Sequence, residues 1–511
     1  MKILDCTLRD GGYYTYWDFD QQLVNDYFKS LNYLPIDYIE IGYRSLPMKE
    51  YLGEYFYCPL YVVEKIKSAS NKKLVIILNE KDVTPDQLPA LLGPIRGMVS
   101  MVRMAIDPKN LKRALVLAEA IKKMGFEVGF NVMYMSTWGS QQDFIQDLKF
   151  VEGLADYFYM VDSFGGVFPA DVVNTINMVR EQTNVPLGFH GHNNMELALI
   201  NTLTAIDNGV EIVDATITGM GRGAGNLKTE LLLTVLNSKG LLTLNYNPLS
   251  VVVDGFTKLQ KQHEWGTNLP YMVSGANSLP QKEVMEWVSK RFYSFNSIIQ
   301  ALENQKNKLE DNKRFELFSP GKRYKKCILI GGGPSAVALA EPIKKMLAKE
   351  TDICLVYAST RNVPYYKEVA ADQYFCLVGN EGNRMVKVFE DLGNFSGLCV
   401  LPPYPRKMGT FVPKEVEDRT FELLQIVYTD KVKDSQTALS LQICIDLAAE
   451  EVMVVGYDGY SGTKLGSKEQ ELLAENELLF AAAQNFGLKI TALSQTKYKS
   501  LITDSIYSKL I

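Results

Sequence analysis

Histidine is scarce in this sequence and unevenly placed. Of three histidines, His190 and His192 stand two residues apart in GFHGHNN. Alternate residues of an extended strand share a face, so a strand through 187–192 turns both imidazoles the same way. A carboxylate with a fixed cation beside it, Arg9-Asp10, lies in LDCTLRDGG near the N-terminus, and Asn226 follows the glycine-rich run GMGRGAG. Two imidazoles and a carboxylate form a mixed nitrogen–oxygen donor set, the kind that holds Mn²⁺, Mg²⁺, Fe²⁺ or Zn²⁺ with positions left open. Such a centre polarises a carbonyl, and Arg9 beside it suits a developing enolate oxygen. Asn226 has two readings, an oxygen donor or orienting hydrogen bond at the metal, or a helix N-cap. The plainer roles for the others are hydrogen-bonded core histidines, a helix cap at Asp10 and an ion pair at Arg9. Their joint position at the ends of strands favours the metal.

Those residues are far apart in the chain, so the fold must bring them together. Strand-like segments at 2–8, 37–43, 73–79, 99–106, 127–135, 157–162, 187–192 and 212–218 alternate with helical patterns at 111–124, 142–154, 170–182 and 195–208. Alternation of this kind means βαβ units and a parallel sheet. Eight units in this length is the count of a TIM (β/α)8 barrel, whose strand C-termini carry the active site; an open doubly wound sheet is the alternative. Closure sets strands one and eight side by side with seven next along, so Asp10, His190 and His192 can converge. The barrel domain is expected over 1–265, and a helical extension and charged linker over 266–320. A second, open α/β domain of Rossmann-like pattern is expected over 321–511.

Composition narrows the class. The 511 residues are 47% hydrophobic and 22% charged, with a net charge of −5. That is ordinary for a globular protein and gives no reason to expect nucleic acid as a partner. No apolar run is long enough for a membrane span, and charges interrupt MKILDCTLRD before a signal-peptide core could form. Seven scattered cysteines with no CxxC pair read as reduced thiols, so a cytoplasmic location is expected. A homo-oligomer is also expected.

LDCTLRDGG, VDSFG at 161–165, GFHGHNN and GMGRGAGNLKTE occur in this order, and together they resemble the DRE-TIM metallolyases. Within that superfamily they look most like the 4-hydroxy-2-oxovalerate aldolase branch. The resemblance covers roughly residues 1–270. It implies a divalent-metal lyase (Mn²⁺ or Mg²⁺, with Zn²⁺ as the other candidate) that makes or breaks a carbon–carbon bond in a 2-oxo acid, with an aldehyde as the other partner. Asp10, His190, His192 and Asn226 match the metal ligands, and Arg9 matches the arginine that steadies the enolate. Asp162 and, in the extension, Tyr271 match positions near the substrate.

The departures are equally specific. No cysteine occurs in 219–226, which disfavours the CoA-thioester lyases, and Gly12-Tyr13 stands where the acyl-CoA synthases carry Glu-Gln. The aldolases place a histidine base where Tyr13 stands. Tyrosine, with an ordinary pKa near 10, is a poor base at neutral pH. Either Tyr13 or Tyr14 is recruited as the acid/base, or the substrate differs. The alternatives are a Claisen-type synthase and a barrel that binds metal without catalysis. In the second domain, Gly331, Gly333 and Ser335 in a strand–turn–helix setting fit G-x-G-x-x-A, a turn that can offer backbone N–H groups to a phosphate.

Overall fold

The computed structural model describes residues 1–49, 51–289, 293–310, 313–366, 369–389, 391–406, 410–460 and 467–511. The chain divides into two compact units, 1–285 and 286–511.

The first unit closes eight parallel strands into a barrel in sequence order. They are β1 (Lys2–Asp5), β2 (Tyr38–Tyr43), β3 (Lys73–Asn79), β4 (Val99–Ile106), β5 (Glu127–Val132), β6 (Tyr157–Asp162), β7 (Leu187–Gly191) and β8 (Ile212–Ala215). Closure is the β1–β8 pairing, with Leu4 opposite Asp214 and Asp5 opposite Ala215. Strands buried on both faces read as unbroken apolar runs, and the run VIIL in β3 is buried throughout. The main core lies between barrel and outer helices. A smaller cluster that includes Leu4, Val75, Met101, Tyr159 and Ile212 lies apart from it.

Three strands end three residues before the sequence expectation. β1 stops at Asp5 rather than residue 8, and α1 (Thr7–Thr15) begins at once. Asp5 causes this. Its buried carboxylate accepts from the Thr7 amide (3.0 Å) and hydroxyl (2.6 Å), Tyr27 (2.6 Å) and Thr229 (2.7 Å). Those bonds turn the chain and fix where the helix starts. β5 and β8 likewise end at Val132 and Ala215, before the expected 135 and 218.

The second unit is a nine-stranded parallel sheet ordered β17-β16-β15-β10-β11-β12-β13-β14-β9. Its strands are β9 (Glu316–Leu317), β10 (Lys326–Ile330), β11 (Ile353–Tyr357), β12 (Gln373–Cys376), β13 (Leu398–Leu401), β14 (Thr420–Glu422), β15 (Glu451–Val455), β16 (Lys489–Ala492) and β17 (Ile502–Thr503). Two apolar cores cover it, one on each face. All seven cysteines are free and buried. Among the described residues no helix is long and apolar enough to cross a membrane.

Candidate active site

Because α1 starts directly after β1, Arg9 and Asp10 occupy its first turn, about 100° apart around the axis. They therefore reach different neighbours. Arg9 donates through Nε to Glu40 on β2 (2.6 Å) and pairs with Asp10 through Nη1. Glu40 also faces Arg103 on β4 at 3.3 Å. Arg103, wholly buried, bonds Asp214 on β8 at 2.5 Å and stacks on Tyr159 at 4.0 Å. Asp214 accepts from Nδ1 of His190 at 2.8 Å, and Nε2 of His190 faces Asp10 at 3.8 Å. Asp10, Arg9, Glu40, Arg103, Asp214 and His190 thus form a closed circuit.

That circuit holds two guanidiniums and three carboxylates, so its carboxylates outnumber its fixed cations by one. Ionic groups removed from water are tolerated only when closely paired, and the residual charge is what a bound cation would offset. His192 points the same way: its Nδ1 donates to the Asp162 carbonyl at 2.8 Å. Burial, aided by neighbouring His190, depresses its pKa to about 3, so the ring is neutral and Nε2 keeps its lone pair. Burial opposes ionisation of Asp10, but Arg9 and the two imidazoles hold its pKa below the ordinary value. Asn226 donates to Asp10 Oδ2 at 2.7 Å, while its own Oδ1 is buried without a partner. The 3.8 Å gap between His190 and Asp10 is too long for a hydrogen bond. Two imidazoles oriented through their Nδ1 atoms, an ionised carboxylate and an orphaned amide oxygen fit a divalent metal.

Among the described residues, the group of His, Cys and carboxylate side chains whose ligand atoms all lie within 4.8 Å of one another is Cys6, His190 and Asp214. It fits a metal poorly. Nδ1 of His190 is already spent on Asp214, and burial together with nearby Asp10 and Asp214 pushes the Cys6 thiol far up, so no thiolate is offered.

Arg9, Asp10, Tyr13, His190 and His192 line one cavity of about 470 Å³. The Tyr13 hydroxyl lies 3.2 Å from that of Tyr43, its ring packs edge-on against Trp17, and Arg222 sits over it at 5.1 Å. Gly12 makes this possible: a Cβ there would lie 2.2 Å from the Trp17 indole.

The other expected residues fall outside this cavity's lining. Tyr14 donates to the Gly223 carbonyl at 3.0 Å and bonds Tyr271, and burial raises the pKa of both phenols. The Asp162 carboxylate accepts from the Gly166 and Val167 amides, although burial still raises its pKa to about 6. The Gly331, Gly333 and Ser335 amides donate to Val455 O (2.8 Å), Gly456 O (2.8 Å) and Asp458 Oδ2 (3.2 Å). They are therefore not free to cradle a phosphate. The two glycines are needed because the loop after β15 lies against them: a Cβ would come within 2.6 Å of Gly456 O at Gly331 and 2.2 Å of Asp458 at Gly333.

Sequence reasoning missed Glu40, Arg103, Asp214, Tyr43 and Arg222. The first three had a signal, a charge inside an otherwise apolar strand (YIEIGY, VSMVRMAI, IVDA).

Comparison with known proteins identifies the family of the barrel. The HMGL-like family model matches residues 98–258. A 4-hydroxy-2-oxovalerate aldolase from Geobacillus genomosp. 3 is 31% identical over 251 residues, which are 48% of this chain and 72% of the relative. One from Moorella thermoacetica is 30% identical over 292 residues, 54% of this chain and 82% of the relative. The crystal structure of the N-terminal domain of a candidate aldolase from Bacteroides vulgatus is 58% identical with a TM-score of 0.57. That match covers 59% of this chain and all of that one. Through its barrel, this chain belongs to the HMGL-like (DRE-TIM) carbon–carbon lyases, on the branch of the 4-hydroxy-2-oxovalerate aldolases.

Proposed function

We propose that the barrel is a divalent-metal-dependent aldolase acting on a 2-oxo acid, with Mn²⁺ or Mg²⁺ held by Asp10, His190 and His192. The observation that carries this is the pair of imidazoles on one cavity with Asp10, each with Nδ1 committed to an acceptor, Nε2 of His190 lying 3.8 Å from Asp10. A cation bound there supplies Lewis acidity at the 2-oxo carbonyl, making a pyruvate-type enolate accessible.

The chain's own residues do the rest. Asn226 holds Asp10 in place and offers its unpartnered Oδ1 as a further donor. Arg9, fixed by Glu40 and Asp10, sets a positive charge against the enolate oxygen. Tyr13, at the cavity wall with Tyr43 behind it, is placed to pass a proton to and from the departing aldehyde's oxygen. Arg222 over the Tyr13 ring lends the cavity a second fixed cation for the substrate carboxylate.

Proton NMR in D₂O tests this. Protein loaded with Mg²⁺ should exchange the methyl protons of pyruvate. His192→Ala should lose both metal and exchange, and Tyr13→Phe should keep the metal but slow aldol turnover about 10²-fold or more. Exchange of acetyl-CoA protons instead would make it a Claisen-type synthase. Metal bound without any exchange would make it a non-catalytic barrel. Full metal occupancy in His192→Ala would sink the ligand set.

A further inference from the structure

The sheet of the second unit changes direction at β10. From β10 the chain steps outward through β11, β12, β13 and β14, then returns to lay β15 on the other flank of β10. The helix after β10 (Ala340–Leu347) shares a core with Ile328 and Ile330. The helix after β15 (Ser467–Asn485) shares the opposite core with Cys327, Leu329, Val452 and Val454. Connections leaving the carboxyl ends of β10 and β15 therefore diverge to opposite faces. In open parallel sheets such a divergence leaves a crevice, and ligands bind there.

A cavity of about 580 Å³ occupies that place, lined by residues 331–334 and 456–460 and bordered by Arg361 and Arg384. The Arg384 guanidinium is held by a built feature, and the backbone of Arg361 is tied to the same serine. Glu381, buried, accepts from the Thr360 amide and hydroxyl (3.0 Å each) with one oxygen and pairs with Arg384 through the other. Arg384 also donates to Ser359 Oγ at 3.0 Å, and the Arg361 amide donates to the same oxygen at 3.3 Å. The Ser359 oxygen thus accepts twice, which leaves its hydroxyl hydrogen to donate. Arg361 has no carboxylate at ion-pair distance among the described residues.

Two guanidiniums and a hydroxyl donor on one wall suit a multiply charged oxyanion, for which arginine's planar fork is well matched. The volume exceeds the needs of a lone phosphate and lies in the usual range for organic ligands. The rest of the lining carries Asp458, Glu475 and a trio, Thr437, Asn476 and Tyr498, joined by hydrogen bonds of 2.7 and 3.1 Å, a polar surface rather than an apolar slot.

We propose that this crevice binds a small molecule carrying a phosphate or diphosphate, with Arg361, Arg384 and Ser359 holding the anion and the Thr437–Asn476–Tyr498 side facing its polar organic part. The site differs from the glycine-turn cradle suggested by the sequence, because that turn's amides are spent on the β15 loop. It is also independent of the barrel chemistry.

Isothermal titration of the full-length chain tests it, using His192→Ala protein in Mg²⁺-free buffer so that the barrel contributes nothing. The probes are inorganic phosphate, pyrophosphate, ADP, GDP, CDP and UDP. At least one diphosphate should saturate at millimolar concentration or below. Arg361→Gln and Arg384→Gln, at exposed positions where folding should survive and thermal unfolding can confirm it, should each weaken that binding about tenfold or more. A nucleoside diphosphate binding more tightly than pyrophosphate assigns the site to a nucleotide-like ligand. Equal binding assigns it to free diphosphate. The proposal is overturned if no probe binds, or if the best probe binds both arginine variants as tightly as the parent.

Discussion

Asp214 gives one oxygen both to His190 and to Arg103, which makes it the most informative residue to change. Asp214→Asn removes a charge and the acceptor that fixes the His190 tautomer; Glu40→Gln removes a charge from the same circuit without touching His190. Both should destabilise the fold, since each leaves Arg103 under-compensated, by up to about 3–5 kcal/mol. Only Asp214→Asn should also weaken metal binding, by about 10- to 100-fold. Equal affinities in a Mn²⁺ titration of the two variants would show that Asp214 does not orient a ligand.

His192 adds a pH signature. Its native pKa, about 3, lies below the value near 6.5 expected once unfolded. Between those limits the unfolded chain takes up a proton that the native one refuses. The stability from His192 is therefore complete above pH 6.5 and drains away as pH falls towards 3. Allowing for its partial exposure, metal-free protein should lose about 1–2 kcal/mol relative to His192→Gln between pH 7 and pH 5. Denaturant titrations at the two pH values would read this, and parallel curves would refute it. The candidate ligands at this scale could be picked out from the sequence because histidine is so rare. The charges behind them could not, since each is one residue inside a strand that reads as apolar core.

At the scale of elements, the strand–helix alternation was plain from hydrophobic periodicity, and all eight barrel strands fall where the pattern put them. The end of β1 was not. Cys6, Thr7 and Leu8 are acceptable strand residues, and only the bonds made by Asp5 to Tyr27 and Thr229, distant in sequence, convert them into a turn and a helix start. In the second unit the glycine turn was legible as strand–turn–helix. Its purpose was not, because the loop that packs on it lies more than a hundred residues later. The packing of α1 can be probed at Gly12. Gly12→Ala would press a methyl into the Trp17 indole and should cost about 1–3 kcal/mol, with metal retained and Tyr13 displaced. An unchanged unfolding midpoint would mean that Trp17 yields freely.

For the whole molecule, the division at 285/286 separates two units with cores of their own. A domain with its own core can fold alone. Residues 1–285 expressed by themselves should unfold cooperatively and bind Mn²⁺ with the affinity of the full chain. A fragment that aggregates or melts without cooperativity would show that the barrel needs its C-terminal neighbour. Length and the change of pattern near Cys327 pointed to two domains, and they could not say what the second one holds. The crevice beside β10 depends on strand order, which no local window of sequence contains.

The charge circuit has a consequence for descent. Each of its six members answers to two neighbours in the circuit, on α1 or on the strands, so a lone substitution leaves two partners stranded and should be selected against. Change here must come in linked pairs or not at all. Across related barrels Glu40, Arg103 and Asp214 should persist or vanish together, even where Tyr13 and the substrate walls drift. A lineage that gave up the metal should carry its mark in the strands that form the circuit before it shows in the loops.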